Sequence, residues 1–336
     1  MACRVSTSNE RPIVLVTRKL PASIEAAVVA HYDARLNRTD VALAPEQLTA
    51  ALRQADIIFC TVTDNIRAEQ LGGSGIRTKL IANFGVGVNH IDLDAAKRAG
   101  ITVTNTPDVL TEDTADLTIG LMLMIMRRMG EGERHVRTGA WSGWRPTHMV
   151  GRSPRGKTLG VIGYGRIGRA VARHAASAFG MHVLWYAPRD PRIEDAESAG
   201  PANAERAATL DDLLQRADVV SLHCPSTADT KHLINAERLH LMKDSAYLIN
   251  TARGDIVDEW ALSSALREQV IAGAGLDVYE FEPSVVADLK EMENVVLLPH
   301  LGSATIETRT AMGERALNNI AAFVAGDVPP DVVVRP

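Results

Sequence analysis

The stretch "LGVIGYGRIGRAVARHAASAFGMHVLWY" (159–186) decides the fold. A short apolar run leads into a glycine turn, a helical pattern and a second apolar run, which is the βαβ unit of a parallel sheet. The turn reads Gly163-Tyr164-Gly165-Arg166-Ile167-Gly168, a complete GxGxxG. Its first glycine permits a tight turn, its second lets the backbone approach a pyrophosphate, and its third lets the helix pack close to the strand. The start of the helix adds free N–H groups and dipole charge. The plainer reading is a glycine turn with no ligand. Its place between two strands favours a dinucleotide.

The residue that reads the ribose of NAD belongs about 20 residues further on, at the end of the next strand. Here the chain continues "APRDPR" (187–192), with no carboxylate at Ala187 or Pro188. Arg189 and Arg192, on a proline-stiffened turn, suit the 2′-phosphate of NADP, because a guanidinium binds phosphate through two parallel hydrogen bonds. Two other readings stay open. The arginines are also what an ordinary surface loop carries, and Asp190 facing the ribose keeps NAD(H) in play.

Outward from this unit, the 336 residues suffice for about two domains of roughly 150 residues each. Apolar runs alternate with amphipathic stretches. The runs are 13–16, 56–62, 80–84 and 101–105, then, after a gap, 159–163, 182–186, 218–223, 246–250, 273–278 and 294–298. The gap holds 111–129, which reads as one long helix with Thr111 as N-cap, Thr114 three residues on, and Glu112 and Asp113 at its positive end. A turn-rich segment with two tryptophans follows (138–157). Helices are also expected at 209–217, 258–269 and 305–326, and the last can return to the first block. The expected fold class is therefore α/β, with two Rossmann-like or flavodoxin-like domains. A dinucleotide-binding domain (109–302) interrupts a split substrate-binding domain (1–108 and 303–336).

The composition excludes several classes. Hydrophobic residues make up 46% and charged residues 23%, and the net charge of −5 is spread without long runs of one sign. A nucleic-acid binder would carry a basic face. The apolar stretch 117–126 is too short to span a bilayer. Cys3, Cys60 and Cys224 form no CxxC pair or metal cluster. With a polar N-terminus that lacks a signal-peptide core, this leads us to expect a cytoplasmic protein without metal or membrane.

Three charged residues follow predicted strands in the second half. Arg253 follows 246–250, Glu282 follows 273–278, and His300 follows 294–298. In open α/β sheets ligands bind beyond the carboxyl ends of strands. An Arg, a Glu and a His there suit reduction of a 2-oxo acid. The cation holds the carboxylate, the His protonates the carbonyl oxygen as hydride arrives, and the Glu orients the imidazole. Singly, each has a structural reading: a loop arginine, an exposed glutamate, a capping histidine.

Together with "NFGVGVNHIDLDAAKRAGITVTNTP" (83–107), "GYGRIG", "NTARGDIVDE" and "PHLGSAT" (299–305), these residues make the chain resemble the D-isomer-specific 2-hydroxyacid dehydrogenase family over nearly its whole length. "GAWSGWRP" (139–146) and "RDPR" (189–192) are most similar to its NADP-dependent glyoxylate/hydroxypyruvate reductases. The resemblance implies that Arg253 binds substrate carboxylate and that Glu282 pairs with the acid/base His300. Backbone N–H groups of Val86 and Gly87 would cradle the carboxylate, a use the Gly85–Gly87 loop already suits. Phe84, ahead of that loop, is a departure from the family pattern, and its bulky ring is expected to shape the pocket. Thr114, Asp277, the loop His223-Cys224-Pro225, and Thr251, Ala252, Arg253, His300, Gly302 and Ser303 would line the cofactor path.

The resemblance also implies a homodimer formed through 111–155, with Trp144 either entering the partner's active site or serving only as an interface or core residue. The expected activity is hydride transfer from NADPH to glyoxylate or hydroxypyruvate. A broader D-2-oxo acid reductase, a phosphoglycerate dehydrogenase and a phosphite dehydrogenase are alternatives within the family. A nucleotide-sensing, corepressor-like binding protein is the alternative of another class.

Overall fold

The structure, a computed structural model, describes residues 11–189 and 200–336. It comprises two compact units, one of residues 1–110 and 305–336, the other of 111–304. The first unit runs β1 (Ile13–Val16), α1 (Ala22–His31), β2 (Asp33–Leu36), α2 (Pro45–Gln54), β3 (Ile57–Thr61), α3 (Ala68–Leu71), β4 (Leu80–Phe84), α4 (Leu93–Arg98) and β5 (Thr102–Thr104). The second runs α5 (Thr111–Met126), α6 (Met129–Arg137), β6 (Thr158–Ile162), α7 (Arg166–Phe179), β7 (His182–Tyr186), β8 (Glu205–Arg206), α8 (Leu210–Arg216), β9 (Val219–Leu222), α9 (Ala236–Leu241), β10 (Tyr247–Asn250), α10 (Glu259–Arg267), β11 (Gly273–Leu276), α11 (Ala287–Glu291) and β12 (Val295–Leu297). The chain then completes the first unit with α12 (Ile306–Ala325) and β13 (Val332–Val334).

The first sheet has the order β13-β5-β4-β3-β1-β2 and the second β12-β11-β10-β9-β6-β7-β8. All pairings are parallel except β13 with β5. In the second sheet the strand order reverses between β6 and β9. That is the switch point where an open α/β sheet leaves a crevice for ligands. The alternation of side chains along each strand divides each core in two. On β3, Ile57 and Phe59 join one cluster while Ile58 and Cys60 join the other. On β4, Leu80, Ala82 and Phe84 face the first cluster and Ile81 the second.

Caps set several helix ends. Thr209, Asp258 and Thr305 accept N–H groups from the first turns of α8, α10 and α12, and α12 stops at Gly326, whose φ is 85°. The long helix expected over 111–129 is two helices instead, and Thr111 is its first helical residue rather than its cap. The break has a physical cause. Arg152 N–H donates to Met126 O at 2.7 Å, which takes the carbonyl that would have continued the helix. Gly151 lies so close that a Cβ there would sit 2.5 Å from the same oxygen, and Arg128 turns left-handed at φ 55°. Among the described residues, no helix is long and apolar enough to cross a membrane.

The last strand is fastened by one buried carboxylate. Asp331 accepts from Arg315 Nε at 3.0 Å, Arg315 Nη2 at 2.8 Å and Asn319 Nδ2 at 3.0 Å, while its own N–H donates to Asn319 Oδ1. Asp331→Ala is expected to destabilise the first unit by roughly 2–4 kcal/mol, less than loss of a fully buried partner because Arg315 is partly exposed. All four tryptophans fall in the second unit. The loss should therefore appear in urea as an earlier far-UV circular-dichroism transition, with tryptophan emission moving less.

Candidate active site

The glycine turn joins β6 to α7 beside the switch point. Gly163 has φ 92°, and a Cβ on it would lie 2.4 Å from Cys224 N and 2.6 Å from His223 C. The loop after β9 thus packs on the turn through backbone alone. A Cβ on Gly168 would meet Gly163 O at 2.2 Å, so the helix is drawn against the turn. At Gly165 a Cβ would meet nothing within 4 Å, and this open side is where α7 begins, with the first-turn N–H groups of Arg166 and Ile167. A cradle closed at Gly163 and Gly168 and open at Gly165 fits a pyrophosphate.

The surroundings of the turn are mostly apolar or neutral. Tyr164 turns its ring inward to stack on Trp185, centroids 4.6 Å apart, so it offers a ligand only its backbone. Burial pushes its phenol up. His223 bonds Ser221 Oγ through Nε2 at 2.8 Å, and burial pushes its imidazole down to about 3, leaving it neutral. Burial pushes the neighbouring Cys224 thiol up to about 11. Pro225 is exposed, as is Arg189 beyond β7, whereas Asp190 and Arg192 lie outside the described residues.

The charged residues converge at the carboxyl ends of β10, β11 and β12. His300 Nδ1 meets Glu282 Oε2 at 3.0 Å, and Glu282 Oε1 accepts the Tyr279 N–H, also at 3.0 Å. A carboxylate on Nδ1 fixes the tautomer and turns Nε2 outward. Burial raises the Glu282 carboxyl, but the bond and charge of His300, with the Tyr279 N–H and Arg253, hold it below its ordinary value. Arg253 donates to Ala252 O at 2.6 Å, and burial lowers its guanidinium pKa against the pull of Glu282 and Asp255. Gly254 lets the two loops touch, because a Cβ there would lie 1.8 Å from Tyr279 C. The Arg253 loop and the Glu282 loop are therefore fastened backbone to backbone.

His300 itself holds an unusual conformation, φ 56°, left-handed for a residue with a Cβ. Asp277 keeps it there. Its backbone oxygen accepts the His300 N–H at 2.8 Å, and its carboxylate accepts those of Leu301 at 2.7 Å and Gly302 at 2.8 Å. Burial pushes this carboxyl up against those bonds. Thr114 Oγ1 donates to Gly302 O at 2.9 Å, and Thr118 bridges Thr114 O to Thr251 Oγ1. Asn250 holds the Ala252 N–H and the Arg253 carbonyl, and Ser303 follows next in the loop. Sequence reasoning missed Glu259 as a buttress. Its buried carboxylate accepts the Glu280 N–H at 2.6 Å and so steadies the Glu282 loop. "NTARGDIVDE" contained it, but nothing in its spacing marked a contact with that loop.

In the first unit, the loop after β4 presents backbone. The carbonyls of Gly85, Val86 and Gly87 are all occupied, by Asn83 Nδ2 (3.0 Å to Gly85 and to Gly87), Asn105 Nδ2 (2.8 Å to Val86) and the Thr106 N–H. Side-chain amides of Asn83 and Asn105 thus hold the backbone of this loop in place. Phe84 is 4% exposed and packs against Phe59 with ring centroids 6.3 Å apart, so its side chain joins the core of the first unit. Strand alternation, rather than closeness to the loop, decides its direction. Trp144 is 82% exposed in the segment after α6.

A phosphate cradle in the same sheet as a carboxylate-buttressed imidazole defines an NAD(P)-dependent dehydrogenase or reductase. The sequence model described as D-isomer specific 2-hydroxyacid dehydrogenase, NAD binding domain, matches residues 119–302. The glyoxylate reductase of Thermococcus litoralis is 41% identical over 328 residues, covering 96% of this chain and 97% of that protein. Among solved structures, a D-isomer specific 2-hydroxyacid dehydrogenase from Polaromonas sp. superposes with a TM-score of 0.87 at 35% identity, covering 96% of this chain and 100% of that one. The NADPH-dependent glyoxylate/hydroxypyruvate reductase of Sinorhizobium meliloti, in complex with NADP and malonate, gives 0.84 at 34% identity, covering 97% of each chain. The chain belongs to the D-isomer specific 2-hydroxyacid dehydrogenase family.

The glycine turn separates two kinds of damage. Gly163→Ala should cost roughly 1–3 kcal/mol of stability, because it adds left-handed strain to a backbone clash, and should lower Tm. Gly165→Ala should leave Tm near wild type while weakening nucleotide binding, measured by isothermal titration with NADPH or NADH.

Proposed function

We propose that this protein reduces glyoxylate and hydroxypyruvate, giving glycolate and D-glycerate, with NADPH as the preferred donor. The observation that carries the proposal is the Glu282–His300 pair, at the carboxyl-end loops of the same sheet that bears the glycine turn. The glyoxylate reductases among its relatives, and the NADP complex of the Sinorhizobium enzyme, support the choice of substrate and cofactor.

In this reading the dinucleotide lies on the glycine turn and the first turn of α7. Thr114, the 223–225 loop, Thr251, Ala252, Asp277, Gly302 and Ser303 line its path, and Arg189 lies at its ribose. When bound, it supplies the hydride. Arg253 pairs with the substrate carboxylate. His300 Nε2 donates a proton to the C2 oxygen as negative charge builds there, and Glu282 stabilises the imidazolium before transfer. The reading places the enzyme in the cytoplasm as a homodimer formed through 111–155. Met129, Val136, Trp141, Trp144 and Val150 are exposed apolar side chains along that segment, which suits a partner surface.

The deciding experiment is a kcat/KM matrix of NADPH and NADH against glyoxylate, hydroxypyruvate, pyruvate and phenylpyruvate. No turnover with any of them would overturn the proposal. His300→Asn should lower kcat by roughly 100- to 10,000-fold, the span of a lost general acid. The pair also leaves a mark on stability. Because the folded Glu282 carboxyl is lowered, its contribution is complete above the unfolded value of about 4.3 and is lost as pH falls through the folded one. Tm should therefore drop more steeply in acid for wild type than for Glu282→Gln. In sedimentation velocity the wild type should run as a dimer and a Val136→Asp/Trp144→Asp variant as a monomer.

A further inference from the structure

The edge of the second sheet carries a cation that the glycine-turn pattern does not predict. β8 pairs with β7 so that Arg206 lies opposite Trp185 and Glu205 opposite Leu184. Directly paired residues share a face, so Arg206 and Trp185 lie together and Glu205 points away. Glu205 pairs with Arg216 at 2.7 Å. The Arg206 guanidinium carbon sits 5.2 Å from the centre of the Trp185 ring, and Nη2 donates to Ala187 O at 3.2 Å. The same ring stacks on Tyr164, the second residue of the glycine turn, at an interplanar angle of 11°. Trp185 therefore ties Arg206 to the phosphate cradle.

Ala187 is the first residue past β7. In this fold, the residue at that strand end reads the adenosine ribose. Ala187 and Pro188 supply no carboxylate there, so the 2′ position meets no acidic reader from them. A guanidinium held by an aromatic ring and a carbonyl has little rotamer freedom left to lose on binding, and its planar fork matches phosphate.

We propose that Arg206 is a cofactor-specificity residue that binds the 2′-phosphate of NADP from the neighbouring strand, with Trp185 as its platform. This rests on the NADPH reading above. It adds to the loop residue Arg189 a second cation, placed by strand pairing.

The test measures kcat/KM for NADPH and for NADH in wild type, Arg206→Gln and Arg206→Lys, together with competition by 2′,5′-ADP and by ADP. Arg206→Gln should lower kcat/KM for NADPH by roughly 10- to 100-fold, the size of one or two charge-assisted hydrogen bonds, with a much smaller change for NADH. It should also erase the advantage of 2′,5′-ADP over ADP. Arg206→Lys should restore part of both, since it keeps the charge but not the fork. Equal losses with both cofactors would show a purely structural role for β8 and overturn the proposal, as would no loss with either. A wild type that favours NADH, with 2′,5′-ADP competing no better than ADP, would instead overturn the NADPH reading and this inference with it.

Discussion

The grip of Asp277 on three successive N–H groups is the constraint on which the site depends. His300 stands in a left-handed conformation that costs on the order of 1–3 kcal/mol for a residue with a side chain. Its neighbours offset that cost, because the N–H groups of His300, Leu301 and Gly302 all end on one buried residue at the end of β11. The imidazole is therefore aimed by a strand end rather than by a free loop. Thr114 holds the same segment from α5 through Gly302 O, so the conformation is fixed from two elements at once.

A second constraint follows from the first. An acid/base group needs its carboxylate partner held as firmly as itself. The Glu282 loop is pinned by its own carboxylate on the Tyr279 N–H, by Glu259 on the Glu280 N–H, and by the bare Cα of Gly254 against Tyr279. Gly254 follows Arg253 directly. The group that would seat a carboxylate and the group that orients the imidazole thus share one rigid seam. Substitutions on either side of that seam are felt by both.

Much of this architecture was legible, for identifiable reasons. Parallel strands covered on both faces read as continuous apolar runs, so ten of the strands stand out in the sequence. β2 (DARL) and β8 (ER) sit at sheet edges and carry polar residues, which hid them. The break after Met126 depends on an amide 26 positions later, which no local pattern reports. The glycine turn and the order Arg253, Glu282, His300 were readable because chemistry restricts those residue types. The work of Asp277 and Glu259 was not, because it consists of contacts with the backbone of distant residues. The inward direction of Phe84 follows from strand register, which its neighbours in sequence do not report. Asp190 and Arg192 lie outside the described residues.

The bond from Arg152 N–H to Met126 O does more than end a helix. It brings the far end of the segment 127–151 back to its own starting point, and Gly151 makes the closure tight. Within that segment α6 buries none of its residues, and Trp141 and Trp144 stand exposed. Such a segment is an excursion with its two ends clasped, so its length and surface can drift without moving the strands on either side. A change of sequence or length within it would therefore leave the clasp, and the strands that carry the site, where they are.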